Sequence, residues 1–148
     1  MNTESTGGFS TAERKAMKER AAELKKASGH GGRGDRAARQ EHDLLAKIEG
    51  MEPADRALAE RIHTLVTITA PDLEPKLWYG QPAYARKGKV VCFFRSGNDD
   101  KERYSTFGFT PEAGLDDDSG LWATSFALTR LSQEAEHKIV SLLERAAT

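Results

Sequence analysis

Cysteine is almost missing from this chain of 148 residues, since Cys92 is the only one. A single cysteine cannot build a disulfide framework or supply the thiolates of a cysteine-based zinc site. Long hydrophobic runs are missing too. The longest strongly apolar run covers residues 90–94, far below the roughly 20 residues of a membrane-spanning helix. Because the first ten residues also lack the apolar stretch of a secretory signal, we expect a cytoplasmic protein with no membrane partner.

An excess of charge of one sign is also absent. The chain has 22 Lys and Arg against 23 Asp and Glu, a net charge of -1. This balance argues against a surface built as a whole to attract DNA or membranes. The charge is unevenly distributed, however: residues 1–42 carry a net +3 and residues 43–148 a net -4. Hydrophobic residues make up only 38%, so we expect part of the chain to lie outside a packed core.

The first 39 residues differ from the remainder in composition. Ser10 and Glu13 have the spacing of a helix capping box, and an alanine-rich, highly charged stretch follows them. Four glycines then lie within residues 29–34, where they match G-x-G-x-x-G. The match follows a helical pattern instead of a strand, so it indicates a flexible joint and no dinucleotide site. We predict that residues 1–39 form a helical arm that is mobile or weakly docked.

Residues 40–148 have the pattern of one α+β domain. A short apolar helix face near Leu44 precedes a second helix that begins at Pro53. Alternating strand patterns follow, and a final helix begins after Ser132. Helices followed by consecutive strands predict an antiparallel sheet of about four strands covered by helices on one face. The four predicted strands are residues 82–86, 89–95, 104–109 and 121–128, the first two joined by a tight turn at Lys87–Gly88.

Two acidic loops are candidates for metal binding. Carboxylate oxygens are preferred by hard cations and by iron ions. The alternative is that both loops are solvated surface segments, which is the usual role of a run of charges. The candidate ligands in the first loop are Asp99, Asp100 and Glu102, and those in the second are Asp116, Asp117 and Asp118.

The densest aromatic segment, residues 78–84, is a candidate ligand pocket. Trp and Tyr combine apolar area with a polar tip, and an amide offers both a donor and an acceptor. The pocket candidates are Trp78, Tyr79, Gln81 and Tyr84. The alternative is a turn whose aromatic side chains close the core.

The motifs Trp-Tyr-Gly-Gln-Pro-Ala-Tyr at residues 78–84, Gly-Lys-Val-Val-Cys-Phe-Phe at 88–94 and Thr-Phe-Gly-Phe at 106–109 resemble the YdhG-like family of domains of unknown function. The resemblance covers roughly residues 43–147 and implies a small α+β fold with an antiparallel sheet. Some members are described as frataxin-like iron chaperones. The resemblance therefore implies that surface carboxylates bind iron and that the partner is an iron-accepting protein.

Three functions are compatible with these patterns. The first is a non-enzymatic protein that binds and delivers iron, with the acidic loops as ligands. The second is a small-ligand-binding domain, with enzymatic activity left open, that uses a cleft at residues 78–84. The third is an interaction protein whose basic arm contacts acidic partners. We do not expect nucleic acid as a partner, because a net +3 gives only a modest phosphate attraction.

Overall fold

The computed structural model describes residues 11–27 and 33–147. Ser10 of the predicted capping box and most of the glycine-rich joint lie outside these ranges. Four helices and five strands are present in the described part of the chain. In chain order they are α1 (Thr11–Ala27), α2 (Arg33–Glu49), α3 (Pro53–Thr69), β1 (Glu74–Trp78), β2 (Gln81–Arg86), β3 (Lys89–Arg95), β4 (Ser105–Phe109), β5 (Ser125–Leu128) and α4 (Gln133–Ala146).

The strands form one antiparallel sheet in the order β1-β2-β3-β4-β5. The predicted α+β class is confirmed, but the sheet has five strands instead of about four. The additional strand, β1, was missed because its sequence contains Pro75 and two charged residues. Proline is tolerated there because β1 is an edge strand with only β2 as its neighbour. The last strand begins at Ser125 instead of residue 121, and Leu121 lies 82% exposed before it.

Two-residue turns join the first three strands. Lys87 and Gly88 have φ values of 52° and 82°, which confirms the predicted tight turn. Tyr79 and Gly80 form a second such turn, with φ values of 54° and 76°. Positive φ at both central residues is typical of the type I′ turn, whose twist matches that of the flanking strands. The second turn places Trp78 directly opposite Gln81 across β1 and β2.

The main core lies between the sheet and helices α2, α3 and α4. Ile62 of α3 and Leu143 of α4 are fully buried together with Phe94 of the sheet. Ser132 caps α4 as predicted, by accepting a hydrogen bond from the Ala135 backbone N–H at 3.1 Å. The other face of the sheet carries a smaller apolar cluster around Ala83, Ala85 and Val90. None of the described helices is both long and apolar enough to cross a membrane.

Helix α2 begins at Arg33, so it crosses the predicted boundary between an arm ending at residue 39 and a domain beginning at residue 40. Its C-terminal half carries Leu44 and Ile48 into the core. The N-terminal part of α2 is therefore continuous with a helix that the core holds in place. Of the predicted arm, α1 is the described element that lies outside the main core cluster.

Candidate functional site

A cleft of about 580 Å³ lies between α1, the Tyr79–Gly80 turn and the loop of residues 96–102. Tyr79 and Gln81, two of the four pocket candidates, line it together with the acidic candidates Asp99, Asp100 and Glu102. The fold therefore joins two groups of residues that the sequence analysis treated as separate sites. Antiparallel pairing of β2 with β3 brings the start of β2 and the end of β3 to the same end of the sheet.

The other two pocket candidates, Trp78 and Tyr84, do not line this cleft. Trp78 packs against Phe93 on the sheet face opposite the helices, with ring centroids 5.4 Å apart. Tyr84 is fully buried on the helix-covered face, where its hydroxyl lies 3.0 Å from Nδ1 of His63. Trp78 and Tyr84 therefore lie on opposite faces of the sheet, and neither belongs to the cleft lining. Only Tyr79 and Gln81 remain as pocket candidates in the cleft.

Gln81 carries a polar atom with no partner. Its side-chain oxygen Oε1 is buried and accepts no hydrogen bond from the described residues. Buried polar atoms are nearly always paired, and an unpaired one costs about 1–3 kcal/mol. Lys47, Met51 and Pro82 line the cleft around this residue. Gln81 therefore adds a hydrogen-bond acceptor without a partner to the residues that line the cleft.

The first acidic loop is partly neutralised by Arg95 at the end of β3. Its Nε lies 2.9 Å from Asp100 Oδ2, and its Nη2 lies 3.5 Å from Glu102 Oε2. Asp99 is exposed, and its carboxylate makes no ion pair with another described residue. Within residues 11–27 and 33–147, no three His, Cys, Asp or Glu side chains are grouped so that they could hold a metal ion. The described residues of this loop therefore form no preformed ligand cluster that would support the iron prediction.

The second acidic loop lies outside the cleft lining. Asp117 Oδ2 accepts hydrogen bonds from both the hydroxyl of Ser119 (2.5 Å) and its backbone N–H (3.0 Å). These bonds lower the pKa of Asp117, because they favour its charged form. Asp116 and Asp118 are exposed. The loop geometry shows a turn held by Asp117, and Asp116, Asp117 and Asp118 stay candidate ligands by prediction only.

A buried carboxylate that sequence reasoning missed fixes the cleft wall. Asp55, in the first turn of α3, accepts hydrogen bonds from Ser96 Oγ at 2.5 Å, from Asn98 N at 3.0 Å and from Ser105 Oγ at 3.3 Å. Ser105 Oγ accepts a further bond at 3.0 Å from the N–H of Gly97. An acid in a first helical turn usually indicates a favourable helix-dipole interaction, so nothing in the sequence pointed to this network. The network holds both ends of the acidic loop against α3.

Helix α1 forms the opposite wall of the cleft and is held by polar contacts. The carboxylate of Glu23 accepts hydrogen bonds from the backbone N–H groups of Tyr79 (2.9 Å) and Gly80 (2.8 Å). Lys47 Nζ of α2 donates to Glu19 Oε2 at 3.0 Å. The larger apolar side chains of α1, Met17 and Leu24, are about half exposed. Charge and hydrogen bonding therefore dominate the docking of α1, and the mobility of the arm in solution stays a prediction.

A second polar pair, the partly buried His63 of α3 and the buried Tyr84 of β2, lies between the helices and the sheet. His63 Nε2 is 3.6 Å from Glu41 Oε2, and its Nδ1 faces the hydroxyl of Tyr84. Burial lowers the pKa of His63, and the charge of Glu41 opposes this effect. Burial raises the pKa of Tyr84 and that of the neighbouring Cys92 thiol. A fully buried, protonated thiol is a poor nucleophile, so Cys92 is a core residue and not a catalytic candidate.

Comparison with known proteins adds no assignment: no family model matches the chain, and no curated protein or solved structure is significantly similar to it. The resemblance to the YdhG-like family therefore stays a prediction.

Proposed function

We propose that this chain is a non-enzymatic binding domain that takes a small organic cation in the cleft between α1 and the Tyr79–Gly80 turn. The observation that carries the proposal concerns Gln81, a residue of the cleft lining whose buried side-chain oxygen lacks a hydrogen-bond donor. A ligand with an N–H group offsets the cost of that unpaired oxygen. Hydrogen bonds from charged donors are the stronger kind, so an ammonium or guanidinium group fits best.

The charge of the cleft supports a cation over an anion. Five acidic side chains line it against three basic ones, which leaves a net charge of -2 when all are ionised. An amide side chain can present either its oxygen or its nitrogen after a half turn. In acidic surroundings the preferred ligand is a cationic donor, which requires the oxygen. The acids are Glu13, Glu19, Asp99, Asp100 and Glu102, and the bases are Lys15, Lys47 and Arg95.

The size and the apolar part of the cleft support an alkyl chain between the charged groups of the ligand. The volume of about 580 Å³ falls within the roughly 300–1,000 Å³ of small-molecule sites. The apolar residues that line the cleft include Ala12, Ala16 and Met51. Methylene groups packed there are removed from water at about 25 cal/mol per Å² of apolar area. An alkyl amine or alkyl guanidine combines both features.

The chemistry of the lining supports binding without catalysis. Neither histidine nor cysteine is among the described residues that line the cleft. The hydroxyl of Ser96 donates to the carboxylate of Asp55, which holds it in the loop network. A nucleophile needs an adjacent base that is free to take its proton, and Asp55 is occupied by three donors.

Iron delivery by a YdhG-like protein is the competing proposal, and the same cleft tests it. Its candidate ligands Asp99, Asp100 and Glu102 line the cleft, but Arg95 already contacts two of these carboxylates. The antiparallel α+β sheet agrees with the family that the sequence resembles, although many families share such a fold. The third alternative, an arm of residues 1–39 that binds acidic partners, stays a prediction.

The test is a titration of the isotope-labelled full chain with agmatine, a linear alkyl guanidine with a terminal amine, followed by NMR. We expect saturable shifts of the Gln81 side-chain amide and of the Asp99 backbone amide. The variant Gln81→Leu should bind at least about tenfold more weakly, because a hydrogen bond from a charged donor contributes about 1.5–3 kcal/mol. The variant Asp99→Asn should also weaken binding. The matched control Asp116→Asn, in the second acidic loop, should leave the affinity unchanged.

A parallel titration with ferrous iron under anaerobic conditions separates the two proposals. Signals of Asp99, Asp100 and Glu102 broadened by iron, in a protein that does not bind agmatine, would overturn the organic-cation proposal in favour of iron binding. If neither cation perturbs the cleft, both proposals fail. Agmatine binding that Gln81→Leu leaves intact contradicts the role assigned to Gln81.

A further inference from the structure

A second cavity, of about 160 Å³, lies between α1, α2 and β1, outside the cleft described above. Leu24 of α1 and Leu77 of β1 line it, together with Arg39 of α2 and Lys76 of β1. Glu19 lines both this cavity and the cleft, and its partner Lys47 lines only the cleft. The two spaces share Glu19 and differ in their other lining residues.

Arg39 is the feature that distinguishes this cavity. Its Nη2 is buried and has no hydrogen-bond partner, and none of the ion pairs among the described residues includes it. A guanidinium group carries five N–H donors and keeps its charge at every physiological pH. A buried and unpaired charged donor is costlier than a neutral one. The cavity therefore has a positive group that no described protein atom complements.

The three acidic side chains that line the cavity, Glu19, Glu23 and Asp43, all have partners. Glu23 accepts two backbone hydrogen bonds from the Tyr79–Gly80 turn and lies 3.6 Å from Arg20. Glu19 is paired with Lys47 of α2. Asp43 also has partners, including His42 at 3.9 Å. The lining has three acidic and three basic side chains, so its formal charges balance, and Arg39 is a basic residue among them without an ion-pair partner among the described residues.

Lys76 is a second basic residue of the cavity lining. It is half-buried, and its pKa is lowered by burial first and by the nearby charge of Arg20 second, with Glu23 and Glu74 opposing the shift. A like charge and desolvation both disfavour the ammonium form. An anion between Lys76 and Arg39 would reverse this effect.

From this geometry we propose that the cavity between α1, α2 and β1 binds a short-chain monocarboxylate, with its carboxylate on Arg39 and its apolar tail between Leu24 and Leu77. A guanidinium binds a carboxylate through two parallel N–H···O bonds. The cavity is smaller than the roughly 300 Å³ at which sites for larger ligands begin, so the tail has only a few carbon atoms. Inorganic phosphate fits less well, because its additional oxygens would face the two leucines without donors.

The probe is sodium butyrate, added to the isotope-labelled full chain at constant ionic strength. We expect saturable shifts of the amides of Arg39, Lys76 and Leu77, with a dissociation constant in the millimolar range. 1-Butanol, which has the same tail and no charge, should give no saturable shift at these amides. Inorganic phosphate should bind more weakly than butyrate.

Two variants test the residue that carries the proposal. Arg39→Gln should weaken butyrate binding at least about tenfold, which corresponds to about 1.4 kcal/mol. Arg39→Lys, which keeps the charge but loses the planar fork, should bind with intermediate affinity. The matched control is Arg36→Gln, one helical turn earlier on α2, exposed and outside the cavity lining. It should bind butyrate as the unchanged chain does.

Three results would overturn the proposal: no saturation by butyrate, tighter binding of phosphate than of butyrate, or an unchanged affinity in Arg39→Gln. Amide spectra away from the cavity show whether each variant is folded. If Arg39→Gln does not fold, Arg39→Lys decides in its place, and an affinity equal to that of the unchanged chain then contradicts the assigned role. Agmatine binding in the first cleft is measured independently, so failure of one site does not imply failure of the other.

Discussion

Replacing Asp55 by alanine should remove the support of the cleft wall. In the structure its carboxylate accepts hydrogen bonds from Ser96 Oγ, Asn98 N and Ser105 Oγ. Ser96 and Ser105 are only 4% and 3% exposed, so their hydroxyls cannot turn to water after the substitution. Each buried donor left unpaired costs about 1–3 kcal/mol, whereas the N–H of the exposed Asn98 can be hydrated. The expected loss is therefore about 3–4 kcal/mol of the free energy of unfolding.

The assay is urea unfolding of Asp55→Ala and of the unchanged chain, followed by circular dichroism. The urea concentration at the unfolding midpoint should fall, while the slope of the unfolding free energy against urea concentration stays the same. The reason is that the substitution changes stability but leaves the surface area buried by the fold intact. The melting temperature should fall by about 10 °C, since 1 kcal/mol corresponds to roughly 2–4 °C in domains of this size or slightly larger. The control Asp72→Ala removes an exposed aspartate just after α3 and should change stability by less than about 0.5 kcal/mol.

A double-mutant cycle identifies the cause of the loss. Ser96→Ala alone removes one donor of the network, and the double variant Asp55→Ala/Ser96→Ala should lose less stability than the two single variants added together. A loss below about 1 kcal/mol in Asp55→Ala would refute the reasoning, because the buried serines would then have been unpaired without consequence. Strictly additive effects would show that Asp55 and Ser96 do not interact.

Three further predictions follow from single contacts. Burial lowers the pKa of His63, so its contribution to stability is present above the unfolded-state pKa of 6.5 and is lost as the pH falls below that value toward the folded-state pKa. The slope of the unfolding free energy against pH below 6.5 should therefore be smaller in His63→Gln than in the unchanged chain. Equal slopes would contradict this. In Glu23→Gln the new side chain can accept hydrogen bonds through only one oxygen, so amide hydrogen exchange at Tyr79 and Gly80 should become faster. Unchanged exchange would show that the two bonds to α1 do not form in solution. Gly80→Ala and Gly88→Ala place a side chain at similar positive φ, but the added Cβ meets the Glu19 carboxylate only at Gly80. Gly80→Ala should therefore be the more destabilising in urea unfolding, and equal losses would mean that the Glu19 carboxylate is not held against Gly80.

The elements of the fold that rest on local patterns were predictable. The helix beginning at Pro53, the Ser132 cap and the Lys87–Gly88 turn depend on residues within a few positions of each other, and all three are present. Strand β1 was not predictable in the same way, because Pro75 and its charged neighbours weaken the strand pattern. Its strand conformation comes from pairing with β2 through the Tyr79–Gly80 turn.

The candidate site was predictable in its residue types but not in its assembly. The sequence indicated Gln81 and the acidic residues 99–102 separately. The predicted hairpin implies that the start of β2 and the end of β3 lie side by side, but α1 completes the cleft through contacts that are distant in sequence and have no local signal. Asp55 and Glu23 were missed for the same reason. Their partners lie 41 or more residues away in the chain, and an acidic residue on a charged helix carries no sign of a distant contact.

The central claim is that the unpaired oxygen of Gln81 marks a site for a small cation, and the side-chain amide signal of Gln81 tests it most directly. In a titration of the full chain with agmatine, this signal should shift in a saturable manner, with the same dissociation constant as the backbone amide of Asp99. A Gln81 signal that stays unchanged while agmatine saturates any other part of the chain would contradict the claim.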